Sequence, residues 1–265
     1  MHNRAPAVAG MFYPEDPARL AASVRGYLDE SSRSGALTAR KDAPKALILP
    51  HAGYQYSASI AASGYRLLEP AHRSISRVVL LGPAHRVYLR GMAVPSSAVF
   101  DFPGGSIPLD LQAIADICRL PGVQVSDEAH AQEHCLEVHL PFLHEVLDEF
   151  LLVPIVVGAC SAADVARVIE SLWGGDETAI VVSSDLSHYL PYEEARATDA
   201  QTSQAIAAAS SALHGEQACG AHAINGLMQA AQRHGLQVDI LDVRNSGDTA
   251  GDRSRVVGYG AYALR

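Results

Sequence analysis

Six stretches of this chain are rich in aliphatic and β-branched residues, several of them on consecutive positions, and they limit the choice of fold more than any other feature. The six are KALILP (45–50), RVVLLGP (77–83), FLLVPIVVG (150–158), AIVVSS (179–184), QVDILDV (237–243) and VVGYGAYAL (256–264). Strands with one face in solvent alternate apolar and polar residues, whereas strands covered on both faces read as continuous apolar runs. The sequence therefore predicts a sheet whose main strands are buried on both faces.

Helical patterns separate most of these runs. They span 57–68, 110–120, 161–173 and 199–214, and the last is rich in alanine, a strong helix former. Asp110 and Ser161 open two of these segments and are predicted N-caps. Because strands that alternate with helices favour an α/β fold, we expect a single three-layer α/β/α domain over residues 1–265. Its sheet should be mixed and mostly parallel, with antiparallel last strands, and the polar segment Asp29–Lys45 should be a surface loop.

Charge and apolar content exclude several classes of partner. The formal net charge is −9 at pH 7, whereas proteins that bind a phosphate backbone present a basic face, so we expect no nucleic-acid partner. No run approaches the roughly 20 apolar residues that span a bilayer, and no secretory signal is visible. We therefore expect a cytoplasmic protein without membrane contact. The four cysteines form no C-x-x-C pair, and we expect free thiols, with Cys118 and Cys160 buried.

Three histidines follow three of the predicted strands. His51 follows the run at 46–49, His85 follows the run at 77–83, and His188 follows the run at 179–184, with Asp185 one helical turn before it. In open α/β sheets, ligands bind outside the carboxyl ends of the strands. The chain has 12 histidines, so single coincidences are expected, but three in one pattern predict imidazoles that converge. Two glycines permit close backbone approach in the same turns: Gly53 and Gly82.

The segment Gln132–Leu147 also carries histidines, and four leucines in it follow a helical spacing. We expect a helix whose first turn brings Glu133 and His134 toward the site, with His139 and His144 on its surface. The spacing differs from the H-E-x-x-H motif of zinc proteases, so that class is not indicated.

Six motifs in this order make the chain resemble the Memo family, whose microbial members are called AmmeMemoRadiSam system protein B. They are RAPAVAGMFYP (4–14), PHAGYQYSASIAA (50–62), LLGPAH (80–85), EHCLEVHLPFL (133–143), SSDLSHY (183–189) and CGAHAI (219–224). The resemblance covers nearly the whole chain. It implies a fold related to type III extradiol ring-cleaving dioxygenases, which hold non-haem iron(II) with two histidines and a carboxylate.

The resemblance also implies the metal ligands. His51 and His85 stand where the histidine ligands would be, His188 stands where a ligand or an acid–base residue lies, and Cys219 stands where a cysteine faces the metal. A thiolate is softer than a carboxylate and favours copper(I) or zinc. We therefore expect iron(II) first, with copper or zinc as alternatives, and we expect Cys219 to be a thiolate that oxidises readily once the metal is absent.

The remaining roles follow from the positions of neighbouring polar residues. Asp185 and Glu133 are candidates to accept hydrogen bonds from the ligand imidazoles, and Asp185 and His188 are candidates for proton transfer. Tyr54 and Tyr189 could orient a substrate. The aromatic pair Phe12 and Tyr13 could wall the pocket, although a plain core position explains both equally well.

Three classes of function stay open at this point. The first is a metal-dependent oxidoreductase of dioxygenase type. By resemblance, the second is a binding module for phosphorylated peptides, and the third is a partner of a radical SAM protein and an AMMECR-type protein. The pocket would accordingly hold a small molecule or a peptide.

Overall fold

The computed structural model describes residues 2–33 and 42–265. Its strands are β1 (Asn3–Arg4), β2 (Ala46–Leu49), β3 (Arg77–Pro83), β4 (Met92–Val94), β5 (Val99–Phe102), β6 (Gly105–Pro108), β7 (Val123–Val125), β8 (Leu151–Val157), β9 (Thr178–Ser183), β10 (His188–Leu190), β11 (Val238–Asn245) and β12 (Val256–Leu264). Its α-helices are α1 (Pro17–Arg33), α2 (Tyr54–Tyr65), α3 (Leu111–Ile117), α4 (Asp127–Ala131), α5 (Leu140–Val146), α6 (Ala162–Ser171), α7 (Tyr192–Ala207), α8 (Ala221–His234) and α9 (Ser246–Thr249). All six predicted strands are present.

The main sheet is mixed, as predicted. Its strand order is β10-β12-β2-β9-β3-β8-β4-β7, and β11 also pairs with β12. The central strands β2, β9, β3 and β8 are mutually parallel. The flanks are antiparallel, because β12 runs against β2 and β4 runs against β8. Four of the six apolar runs form this parallel centre, where both faces of each strand are covered, whereas the run in β11 is partly exposed.

Helices cover the sheet in two layers, which confirms the three-layer α/β/α architecture. In one layer α1, α2 and α5 pack together, and α2 contacts β2 and β12. In the other layer α6 packs on α8, which contacts β3 and β9. Asp110 and Ser161 cap α3 and α6 through their side chains, as predicted. A separate small sheet joins β1, β5 and β6.

The structure corrects the predicted helix at Gln132–Leu147. Residues 132–136 form a loop, a 3₁₀ turn spans Glu137–His139, and α5 begins only at Leu140. Pro141 explains the late start, because proline has no backbone N–H and is tolerated only in the first helical turn. His144 is exposed as expected, but His139 is buried rather than on the surface.

Three further expectations can be compared with the described residues. Helix α1 continues to Arg33, so the predicted loop begins later than Asp29, and residues 34–41 of it lie outside the described residues. The four cysteines are free, but Cys118 and Cys160 are partly exposed rather than buried. Among residues 2–33 and 42–265, no helix has the length and apolar character needed to cross a bilayer.

Candidate metal centre

The site lies at the carboxyl ends of three adjacent parallel strands. Strand β9 pairs with β2 on one side and with β3 on the other. His51 lies two residues beyond β2, His85 two residues beyond β3, and Asp185 two residues beyond β9. Because parallel strands end at the same edge of a sheet, these three turns open on one place.

Three imidazoles meet there. The ring centroids of His51 and His85 are 5.1 Å apart, those of His85 and His134 are 4.8 Å apart, and those of His51 and His134 are 5.5 Å apart. One nitrogen from each ring lies within 4.8 Å of the others. His134 comes from the loop that replaces the predicted helix. The sequence analysis placed it in the pocket, whereas this geometry makes it a candidate ligand.

The His85 ring is oriented by a buried carboxylate. Glu133 accepts the backbone N–H of His85 at 2.6 Å and the Nδ1–H of its ring at 2.9 Å. Burial by itself would raise the pKa of Glu133, but the hydrogen bonds and charge of His85 outweigh it and bring that pKa to about 2. The carboxylate is therefore ionised, and because it occupies Nδ1, Nε2 is the His85 nitrogen that can face a ligand.

The His51 ring is oriented by a hydroxyl. Its Nδ1 lies 2.6 Å from Ser183 Oγ, and its backbone N–H donates to Asp185 Oδ1 at 2.8 Å. We expected Asp185 to accept from a ligand ring, but its carboxyl accepts from the main chain instead. Burial, and then the neighbouring histidines, hold the pKa of His51 well below its ordinary value, so the ring is neutral.

His134 carries a buried nitrogen that lacks a hydrogen-bond partner among the described residues. Its Nδ1 is 3.3 Å from Glu133 Oε1, but the two are not oriented for a hydrogen bond. Burial lowers the pKa of His134 to about 4, so this ring is also neutral at pH 7. Unpartnered buried polar atoms are rare and call for an explanation such as an ion or a water molecule.

Cys219 lies beside His51, directly before the N-cap of α8. Its Sγ is 3.4 Å from His51 Nε2 and accepts the backbone N–H of Asp185 at 3.3 Å. Burial, followed by the charge of Asp185, raises the pKa of the thiol to about 12. In the metal-free protein this raised pKa opposes ready oxidation, and the thiolate expected for a metal-facing Cys219 stays a prediction.

Two groups near the imidazoles are suited to hold or transfer a proton. Burial raises the pKa of Asp185 to about 7, despite hydrogen bonds from the backbone of His51 and Ala52. Burial also lowers the pKa of His188, whose ring packs against Tyr189 and is not one of the three that meet at the site. Burial, and then the charge of Asp185, also raises the pKa of Tyr259. Tyr259 stands between two glycines in the last strand and was not among the residues predicted from the sequence.

The four aromatic residues proposed from the sequence lie in different places. The Phe12 ring packs against His134 at 4.7 Å, and Tyr189 is 62% exposed, with an uncommon φ of 61°. Tyr13 is buried and donates to Glu137. Tyr54 lies in an aromatic core cluster, and its hydroxyl donates to the Val138 carbonyl at 2.8 Å.

A family model described as Memo-like protein matches residues 4–263. This chain belongs to the Memo family. It is 35% identical to a MEMO1 family protein of Aquifex aeolicus, an alignment that covers 98% of each chain. It is also 34% identical to a MEMO1 family protein of Aeropyrum pernix, which covers 100% of both chains. An uncharacterized protein from Escherichia coli K12 shares the fold, with a TM-score of 0.52 and 13% identity over 82% of this chain and 98% of that chain.

In this Memo-family chain, the N-terminal segment holds the loop that carries Glu133 and His134. Arg4 donates to the carbonyls of His130 and Glu133, at 3.0 and 2.6 Å, and forms a buried ion pair with Glu137. Glu137 also accepts backbone N–H groups of the N-terminal segment. The sequence analysis did not identify Arg4 or Glu137, because their roles depend on contacts between distant parts of the chain.

Gly82 allows this loop to approach β3, and replacing it is expected to destabilise the fold. A Cβ at Gly82 would lie 2.6 Å from Cys135 Sγ and 2.9 Å from Leu136 Cδ2. Gly82→Ala should therefore lower the free energy of unfolding by about 1–3 kcal/mol in urea titrations, as overpacked cores do. Gly26→Ala is the matched control, because a Cβ there meets nothing within 4 Å and sits in α1. Equal stability of the two variants would contradict the close packing. Gly53, by contrast, has an ordinary φ of −56°.

Proposed function

We propose that this Memo-family protein binds a divalent metal ion and uses it in redox chemistry on a small molecule. The observation that carries the proposal is the meeting of three imidazoles at one sheet edge. His51 and His85 would supply Nε2 lone pairs. His134 or Cys219 would complete the set.

The spacing of the donor atoms fits a metal ion. Three nitrogens around one tetrahedral zinc ion, each about 2.0–2.1 Å from the metal, lie about 3.4 Å from one another. One nitrogen from each imidazole already lies within 4.8 Å of the other two, so a shift of each ring toward the centre by about 1 Å or less would bring them into range. The unpartnered Nδ1 of His134 supports the same conclusion.

The donor set differs from that of a ring-cleaving dioxygenase. Such enzymes combine two histidines with a carboxylate, whereas Glu133 is committed here to two N–H groups of His85. Imidazoles with a thiol suit iron, zinc and copper alike. When bound, the metal would supply a Lewis acid or a one-electron centre. Asp185 and His188 would hold the protons exchanged with a substrate, and Phe12 would contact it.

Metal analysis and oxygen uptake test this proposal. Protein purified without oxygen should contain about one iron, copper or zinc ion per chain, as the geometry of a single site implies. Iron-loaded protein should consume oxygen with simple catechols only weakly, because the matched position carries Cys219 instead of a carboxylate. Cys219→Glu is the comparison variant. Protein free of metal under all conditions would contradict metal binding, and rapid catechol turnover by the unmodified protein would make it an ordinary ring-cleaving enzyme.

A further inference from the structure

Ser183, the last residue of β9, lies at the centre of a chain of buried polar groups. Its Oγ is 2.7 Å from the Cys135 carbonyl oxygen, 2.6 Å from His51 Nδ1 and 2.8 Å from His139 Nε2. The other ring nitrogen of His139 lies 2.7 Å from the Tyr65 hydroxyl. Each of these four side chains is at most 2% exposed, so water does not compete for their hydrogen bonds.

Counting protons gives each hydrogen bond a direction. A carbonyl oxygen only accepts, so the single proton of Ser183 points at Cys135. Ser183 Oγ then offers only lone pairs to the two imidazoles, and each ring must donate to it. His51 therefore carries its proton on Nδ1, and His139 carries its proton on Nε2. The Nδ1 of His139 is then bare and accepts from Tyr65, so every donor in the chain has an acceptor.

We propose that Ser183 is a positioning residue that fixes the tautomer of His51, so that the Nε2 lone pair faces the metal site. His139 and Tyr65 act through Ser183, because they occupy its second lone pair. The arrangement mirrors the carboxylate of Glu133 on His85, but with a neutral hydroxyl. The His85 ring is thus oriented by the negative charge of Glu133, and the His51 ring by the dipole of the Ser183 hydroxyl. Partners of this kind orient ligand imidazoles and set which nitrogen is bare.

The tautomer can be measured without metal, so this part of the proposal is independent of the proposed function. Protein with ¹⁵N-labelled histidine gives long-range ¹H–¹⁵N NMR patterns that distinguish the two neutral tautomers. Variants that each lack one histidine assign the signals to residues. In the metal-free protein, His51 should carry its proton on Nδ1 and His139 on Nε2. In Ser183→Ala, His51 should lose this preference, because its Nδ1–H no longer has an acceptor.

The effect on metal affinity rests on the proposed function. Zinc(II), titrated against a chromophoric chelator, should bind Ser183→Ala about 10- to 100-fold more weakly than the unmodified protein. Ser63→Ala is the matched control, because Ser63 is also buried but bonds to carbonyls of its own helix. That variant should keep both tautomers and the zinc affinity.

Two results would overturn the inference. One is unmodified protein with the His51 proton on Nε2, which is measurable whether or not the Ser183 variant folds. The other is Ser183→Ala with an unchanged His51 tautomer. Protein with the expected tautomers and no zinc affinity would instead contradict the proposed function and leave the role of Ser183 supported.

Discussion

His51→Ala is expected to lower zinc(II) and iron(II) affinity by more than about 100-fold, beyond the loss that follows removal of an outer hydrogen-bond partner. His51 is 2% exposed and faces His85, His134 and Cys219. Its removal would take the central donor from the cluster, and alanine offers no replacement. Competition with a chromophoric chelator under nitrogen measures the change for both metals.

His144→Ala is the control for this prediction. His144 lies on α5, is exposed, and packs its ring against Phe102. That variant should bind metal as the unmodified protein does. Circular dichroism and thermal unfolding of both variants would show whether each retains the fold. A folded His51→Ala protein with unchanged affinity would exclude His51 as a ligand and place any metal elsewhere.

Zinc affinity is expected to rise about tenfold per pH unit between about pH 7.5 and pH 9, if Cys219 is a ligand. Its pKa is raised to about 12, so the thiol carries a proton throughout this range and the metal must displace it. A proton released on binding makes affinity increase as pH rises. The low pKa values of His51 and His134 mean that both rings are already neutral there.

The variant Cys219→Ser shows whether Cys219 or His134 completes the metal site with His51 and His85. Zinc hydrolysis affects both proteins equally, so the difference between their slopes reports the thiol alone. The variant should show an almost flat profile and weaker binding at the upper end of the range. Equal slopes in the two proteins would mean that the three imidazoles hold the metal and that Cys219 only borders it.

The sequence alone was sufficient to predict the main strands and the edge of the sheet at which the site lies. A run such as RVVLLGP places apolar side chains on both faces of a strand. It is therefore expected in a central strand that is covered on both faces. Since parallel strands end at one edge, His51, His85 and His188 were expected to meet. His51 and His85 do, whereas the third ring in contact with them is His134. The predicted helix at Gln132–Leu147 begins only at Leu140, because an apolar spacing does not reveal where Pro141 prevents helical hydrogen bonds.

The tertiary structure decided which polar groups act together. His51 and Ser183 are 132 positions apart in the chain, and Arg4 and Glu137 are 133 apart, so no local pattern joins them. Nothing in the sequence around His139 distinguishes it from a surface histidine. Only its contacts with Tyr65 and Ser183 in the folded protein do so. The spacing of apolar residues shows which face of a helix or strand is buried, because each residue contributes to that pattern by its own hydrophobicity. Hydrogen-bond direction and pKa depend on pairs of groups, and those pairs exist only after the strands and loops have packed together.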